Sequence, residues 1–297
     1  MSTFVKPLVA VDLDEESAVY VIESALQLVP HSRLTLIHVL DRSYFYNLGD
    51  ISYAMVDELN EQLGRQARRC LEQLATRFGI PEHLVIEGHP ASLIQQHAQE
   101  NDHDLIVLGT HGRHGIRRLL GSTANAVLHG TQRNVLAVRV PGGDVEVRPA
   151  ADKYRHVLVA VDLSDESHQV LDVAQRIAEE ERAELNVVHV IKPFQLTYAG
   201  LTYATLADAG LRLEEQAEEQ ARNTLRNLAL SRGLTAEAVH VRRGPPHLEI
   251  QDLAEELGTD LLVVGTHGKH GFELLLGSVA NAVIHGIRRD VLAVRLR

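Results

Sequence analysis

Two stretches, "GTHGRHGIRRLLGSTAN" from Gly109 and "GTHGKHGFELLLGSVAN" from Gly265, set glycines, histidines and a Gly-Ser pair in the same order. Gly109, Gly112 and Gly115, like Gly265, Gly268 and Gly271, permit positive φ and let backbone N–H groups approach a ligand with no Cβ in the way. Gly121-Ser122 and Gly277-Ser278 then open a helix-like run. The unpaired N–H groups and dipole of such a helix start favour an anion. The combination suits a polyphosphate. A purely structural reading makes the glycines turns and the serines caps. The recurrence of loop and helix start together, twice in one chain, favours the ligand reading.

Carboxylates stand at a second pair of positions. "DLDEES" begins at Asp12 and "DLSDES" at Asp162, each just after an apolar, strand-like run. Phosphates would be repelled there and belong near the glycine loops. Asp12 and Asp162 suit hydrogen bonds from hydroxyl or amino donors of a ligand. Asp14, Glu15, Asp165 and Glu166 are expected to favour a helix N-terminus through its dipole.

The chain has 17 histidines, and His111, His114, His267 and His270 fall inside the glycine loops. Imidazoles three residues apart can share a zinc ion, yet neither pair has the cysteines or third-ligand spacing of a zinc pattern. Polar lining of a crevice is the expectation for these four, and no metal site is assigned. His38 and His189, embedded in apolar runs, read as hydrogen-bonded structural groups. His129 and His285 read as packing or capping residues on the last helix of each half. Cys70, the one cysteine, excludes an intrachain disulfide and lies in a helical pattern as an inert, partly buried thiol.

The elements that must hold these residues repeat with them. Residues 109–140 and 265–296 share 22 identities in 32 positions at an offset of 156. Upstream, "LVAVDLDEES" matches "LVAVDLSDES" at an offset of 150. The chain therefore reads as a duplicated domain, 1–145 and 152–297, joined by the Gly-, Pro- and charge-rich stretch 140–155. Short β-branched runs alternate with longer amphipathic ones, which predicts βαβ units and a parallel sheet covered on both faces. Strands are expected near 5–11, 34–40, 84–88, 104–109 and 134–140, and near 156–162, 185–191, 238–243, 260–265 and 290–296. Helices should follow Asp14, Asp57, Pro90 and Ser122, and Asp165, Glu214, Pro245 and Ser278. In a sheet of order 3-2-1-4-5, the ligand crevice opens beyond the carboxyl ends of strands one and four. That is where Asp12 and Gly109, or Asp162 and Gly265, would meet. The aromatic segments "SYFYNLGDISY" and "FQLTYAGLTY", between the second strand and the long helix, read as seals for the sheet ends or a flap. "VLAVRV" and "VLAVRL" read as last strands that pair across the two halves.

Composition narrows the partners. A formal charge of −11 argues against a grip on nucleic-acid backbones, which needs clustered Lys and Arg. No apolar run approaches the roughly 18 residues of a membrane span, and "MSTFVKPLVAVDL" has no basic, signal-like start. A soluble cytoplasmic protein is expected, with no nucleic-acid or membrane partner.

Taken together, the aspartate ending the first strand, "HV" in the second, Gly-x-x-Gly, and Gly-Ser before the last helix resemble the universal stress protein family in its tandem-domain form. The resemblance spans nearly the whole chain. It implies an α/β fold of two tandem doubly wound, Rossmann-like domains, each with a five-stranded parallel sheet of order 3-2-1-4-5 flanked by helices. It implies ATP, with Mg2+ on its phosphates, as ligand of one or both domains. Asp12 with Val39, and Asp162 with Val190, would take adenine and ribose. Gly109, Gly112, Gly121 and Ser122, with Gly265, Gly268, Gly277 and Ser278, would take phosphates. The family's ATP-binding pattern has nine residues between the second glycine and Gly-Ser, and both halves here have eight. Family members dimerise through the last strand, which implies an intramolecular pseudo-dimer here, with a homodimer as a further step. A stress-response regulator is the implied role. A slow ATPase or phosphoryl-transfer enzyme, or a scaffold holding another small ligand, is the alternative.

Overall fold

The computed structural model describes residues 3–41, 53–110, 121–140, 154–192, 203–266, 276–286 and 288–296. The first domain runs β1 (Pro7–Ala10), α1 (Glu15–Leu28), β2 (Thr35–Leu40), α2 (Tyr53–Phe78), β3 (Glu82–Glu87), α3 (Pro90–Glu100), β4 (Leu105–Gly109), α4 (Ser122–Gly130) and β5 (Asn134–Val138). The second repeats the order as β6 (His156–Ala160), α5 (Ser167–Glu181), β7 (Glu184–Ile191), α6 (Tyr203–Leu230), β8 (Val239–Arg243), α7 (Pro246–Glu256), β9 (Leu261–Gly265), α8 (Ser278–Gly286) and β10 (Asp290–Val294). The strands lie in one ten-stranded sheet, β3-β2-β1-β4-β5-β10-β9-β6-β7-β8. Each half is parallel in the order 3-2-1-4-5, and only the β5–β10 junction is antiparallel. No described helix is long and apolar enough to cross a membrane.

The alternation of side chains along each strand explains why both faces are covered. On β4, Leu105 and Val107 join one apolar layer while Ile106 and Leu108 join the other. The first layer includes Val21 and Ile22 of α1, Leu71 of α2 and Leu171 of α5. The second includes Ile94 of α3, Val127 of α4, Leu253 of α7 and Val283 of α8. Each layer runs without a break across both domains because β5 and β10 pair in the middle of the sheet. Leu276, just before Gly277-Ser278, is buried in the second layer. Leu119, Leu120 and Leu275 lie outside the described residues.

Two helices begin earlier than the sequence reading placed them. α2 starts at Tyr53 rather than after Asp57, and α6 at Tyr203 rather than after Glu214. The added turns hold Ala, Met and Leu, strong helix formers that lack the regular apolar period used to find the helices. The remaining aromatics of the two segments lie outside the described residues.

At the junction, Val291 faces Ala137, Leu292 faces Leu136 and Ala293 faces Val135, all buried. Each strand opens with a side chain that accepts an amide from beyond the end of the other. Asn134 Oδ1 accepts from Arg295 N at 3.0 Å, and Asp290 Oδ1 from Arg139 N at 2.7 Å. The two acceptors complete themselves differently. Asn134 uses its own amide group to donate to the Asp104 carbonyl at 2.9 Å. Asp290 has no donor, and its second oxygen accepts from Tyr154 Oη at 2.8 Å. The counterpart of Tyr154 in the first domain is Phe4, buried and without a hydroxyl.

Tyr154→Phe removes a donor from a buried carboxylate while keeping the ring in the core. We expect a loss of about 1–3 kcal/mol in unfolding free energy, read from urea titrations. Phe4→Tyr, which adds a hydroxyl opposite an already satisfied asparagine, should give no gain.

Candidate functional site

The crevice forms where β1 and β4 end, because the chain leaves β1 toward β2 on one side and reaches β4 on the other. Burial alternates at those strand ends, where Val11, Thr110, Val161 and Thr266 are buried. Leu8, Val9 and Leu105 to Leu108 are buried, whereas Ala10 and Gly109 are partly open, as are Ala160 and Gly265 in the second domain.

β1 is held at its end by β2. Val11 N donates to the Ile37 carbonyl at 3.0 Å, and His38 Nδ1 lies 2.8 Å from the Val11 carbonyl. A carbonyl can only accept, so the imidazole is the Nδ1–H tautomer. Burial holds the His38 pKa below its ordinary value, and the bond to Val11 opposes this only in part. His189 repeats the arrangement on Val161 at 2.8 Å. Both histidines are therefore struts that fix the backbone just before Asp12 and Asp162, as expected from sequence.

Val39, 9% exposed, lies on β2 opposite Ile86 of β3. Val190 has the same place in the second domain, opposite Arg242 of β8. The wall beyond it contains residues that the sequence reading missed. Gly88 N donates to the Leu40 carbonyl, and Gly244 N to the Ile191 carbonyl, each at 3.1 Å. Their φ angles are +143° and +153°, which a side chain would strain. A Cβ on Gly88 would come within 2.9 Å of Leu93 Cδ1. The signal was available, since a glycine precedes the helix-opening prolines in both "GHP" and "GPP".

The opposite wall begins at Thr110. Its amide donates to the Val138 carbonyl at 2.9 Å, and its carbonyl accepts from Gly121 N at 2.6 Å. In the second domain Thr266 N donates to Val294 O at 3.0 Å, and Gly277 N donates to Thr266 O at 2.5 Å. These clasps close the loops expected to cradle phosphate, and they correct one part of the sequence reading. The amides of Gly121 and Gly277 are held by protein carbonyls and do not point to a ligand. The backbone offered instead is that of Ser122, Thr123 and Ala124, since the first helical bond runs from Asn125 N to Gly121 O at 2.9 Å. Asn281 N to Gly277 O, at 2.9 Å, repeats it. Ser122 and Ser278 are exposed at the helix starts. Gly112, Gly115, Gly268, Gly271 and the loop histidines His111, His114, His267 and His270 lie outside the described residues.

The two β1–helix turns differ. Asp14 caps α1, its Oδ2 accepting from Ser17 N at 3.1 Å, with Glu15 and Glu16 in the first turn. α5 begins only at Ser167, so Asp165 and Glu166 precede its first turn rather than complement its dipole. The cause is Ser164, which stands where the first domain has Asp14 and turns inward to Asp162. His129 and His285 also differ. His129 Nε2 lies 3.2 Å from Asn281 Oδ1 across the two domains, whereas His285 Nδ1 bonds the Asn281 carbonyl of its own helix at 2.7 Å.

The universal stress protein family model matches residues 5–139 and again 153–295. The chain thus belongs to the universal stress protein family and carries two of its domains. Universal stress protein A homolog 1 of Coxiella burnetii is 40% identical over 144 residues, covering 48% of this chain and 98% of that protein. Universal stress protein YxiE of Bacillus subtilis is 33% identical over 156 residues, covering 48% of this chain and 99% of that protein. Among solved structures, a universal stress protein from Archaeoglobus fulgidus superposes with a TM-score of 0.64 at 20% identity, covering 99% of this chain and 98% of that one. The protein PA1789 from Pseudomonas aeruginosa gives 0.66 at 18% identity, covering 99% and 93%. These two share the fold across both domains.

Burial also lowers the pKa of His97, His103 and His240. A histidine whose folded pKa lies below its unfolded value of about 6.5 stabilises the fold above that pH and loses the contribution as pH falls through the folded value. The urea midpoint should therefore drop between about pH 7.5 and pH 5.5, less steeply in His38→Asn, which keeps a donor but cannot titrate.

Proposed function

We propose that this protein binds an adenine nucleotide, ATP with Mg2+ on its phosphates, in the β1/β4 crevice of one or both domains. As a cytoplasmic stress-response protein, it acts as a regulator or interaction protein whose shape or partners depend on that ligand. The observation that carries the reading is a coincidence present twice. A carboxylate follows the first strand of each domain, and an exposed serine opens the helix after the fourth. Hydroxyl and amino donors of an adenosine suit the first, and a phosphate suits the second.

On this reading Asp12 and Val39 take adenosine in the first domain, and Asp162 and Val190 in the second. Gly109, Gly112 and Ser122, with Gly265, Gly268 and Ser278, line the phosphates. Gly121 and Gly277 act by holding the clasp that positions Ser122 and Ser278. The domains are 1–145 and 152–297. The β5–β10 ladder supports treating them as an intramolecular pseudo-dimer, with homodimerisation as a further step. Phosphoryl transfer would also need a residue that positions a nucleophile, and the candidates for it are the loop histidines, which lie outside the described residues.

An acidic residue at a helix start repels phosphate yet favours the helix itself. The double variant Ser122→Asp/Ser278→Asp should stay folded and lose ATP affinity by more than about tenfold, with adenosine affinity held within about threefold by calorimetry. Unchanged ATP binding would rule out a phosphate site at these helix starts.

A further inference from the structure

α4 and α8 run in opposite senses, because the strands they lead into, β5 and β10, pair antiparallel. The last turn of one helix therefore comes to the first turn of the other. His129, in the last turn of α4, places Nε2 3.2 Å from Oδ1 of Asn281, and Asn281 N makes the first helical bond of α8. An amide oxygen only accepts, so the imidazole donates from Nε2. Both side chains are half-buried.

That bond decides which way the Asn281 amide faces. With Oδ1 turned to His129, the Nδ2 hydrogens remain for another acceptor, and none takes them among the described residues. Side chains on a helix lean toward its N-terminus and cover the preceding turn. Asn281 therefore belongs to the same turn as Ser278 and the backbone amides that α8 leaves unpaired. The first domain shows the arrangement without its donor. Asn125, the counterpart of Asn281 in α4, has its Oδ1 buried with no hydrogen-bond partner. His285, the counterpart of His129, is spent on the Asn281 carbonyl of its own helix at 2.7 Å. Asn281 thus receives both imidazoles.

We propose that His129 is a positioning residue for the second-domain crevice: by holding Asn281 Oδ1 it directs the Asn281 amide hydrogens to a phosphate at the start of α8. The proposal rests on the nucleotide reading and adds to it a side-chain phosphate donor, oriented from the other domain. A hydrogen bond to a charged oxygen is worth about tenfold in affinity or more. The second site is in this sense completed by the first domain, whereas α4 gets no such support from α8.

The test uses the full-length protein in a Ser122→Asp background, which leaves α8 as the helix start open to phosphate, with ATP and adenosine binding read by calorimetry. His129→Leu should weaken ATP binding by about tenfold and hold adenosine within about threefold. Asn281→Ala should give the same loss, and the two together no more than either alone, since they remove one donor. His129→Gln, whose amide nitrogen donates in place of Nε2, should restore ATP affinity to within about threefold of the background. A loss that His129→Gln fails to restore, an equal loss of adenosine, or additive losses would overturn the positioning role and leave the nucleotide reading standing. So would ATP affinity unmoved by His129→Leu, or a Ser122→Asp background that binds no ATP where the unmodified protein does. Absence of ATP binding to the unmodified protein would overturn both.

Discussion

A strand buried on both faces must still find partners for the backbone groups at its end, and that requirement shapes the crevice. The Val11 carbonyl is met by His38, the Leu40 carbonyl by the Gly88 amide, and the Thr110 carbonyl by the Gly121 amide. Each bond directs the chain leaving its strand. Together they fix the strand ends around the switch point, with Asp12 following β1 and α4 following β4. The second domain meets the same requirement with His189, Gly244 and Gly277. The frame is thus a consequence of satisfied backbone, and side chains only furnish it.

That origin explains what the sequence did and did not disclose. The strands were legible because burial on both faces demands continuous runs such as "DLIVLG" and "TDLLVVG". The parallel sheet followed from the βαβ pattern, whereas the order 3-2-1-4-5, now seen in each half, was what the resemblance to the universal stress protein family implied. The clasp was not legible, since a bond from Gly121 N to Thr110 O involves groups every residue possesses. Glycine there was read as an amide donor to a ligand, whereas its amide closes the loop. Gly88 and Gly244 did leave a mark, a glycine before the prolines that open α3 and α7, but without a neighbouring charge it was passed over. The late start of α5 could not be read from Ser164 alone. A serine caps a helix as readily as it turns inward, and the presence of Asp162 two residues earlier decides which it does.

Joining the two copies in one chain also changes what the interface can become. In a two-fold homodimer each residue at the junction meets its own copy or a fixed partner on the other subunit, so any change is made twice. Here Asn134 and Asp290 occupy equivalent places yet solve the same problem by different means. The asparagine carries its own donor. The aspartate needs one from outside, and Tyr154, two residues ahead of β6, supplies it where the first domain has Phe4. The same freedom lets His129 reach across to Asn281 while His285 bonds within its own helix. It also lets Ser164 bind Asp162 while Asp14 caps α1. None of these differences disturbs the buried β5–β10 ladder, because all lie at strand ends or on helices. Identical backbone at the centre and unlike side chains at the rim are what a fused pair permits and a symmetric pair does not. Two copies of one design can therefore diverge at their strand ends and helix starts within a single molecule.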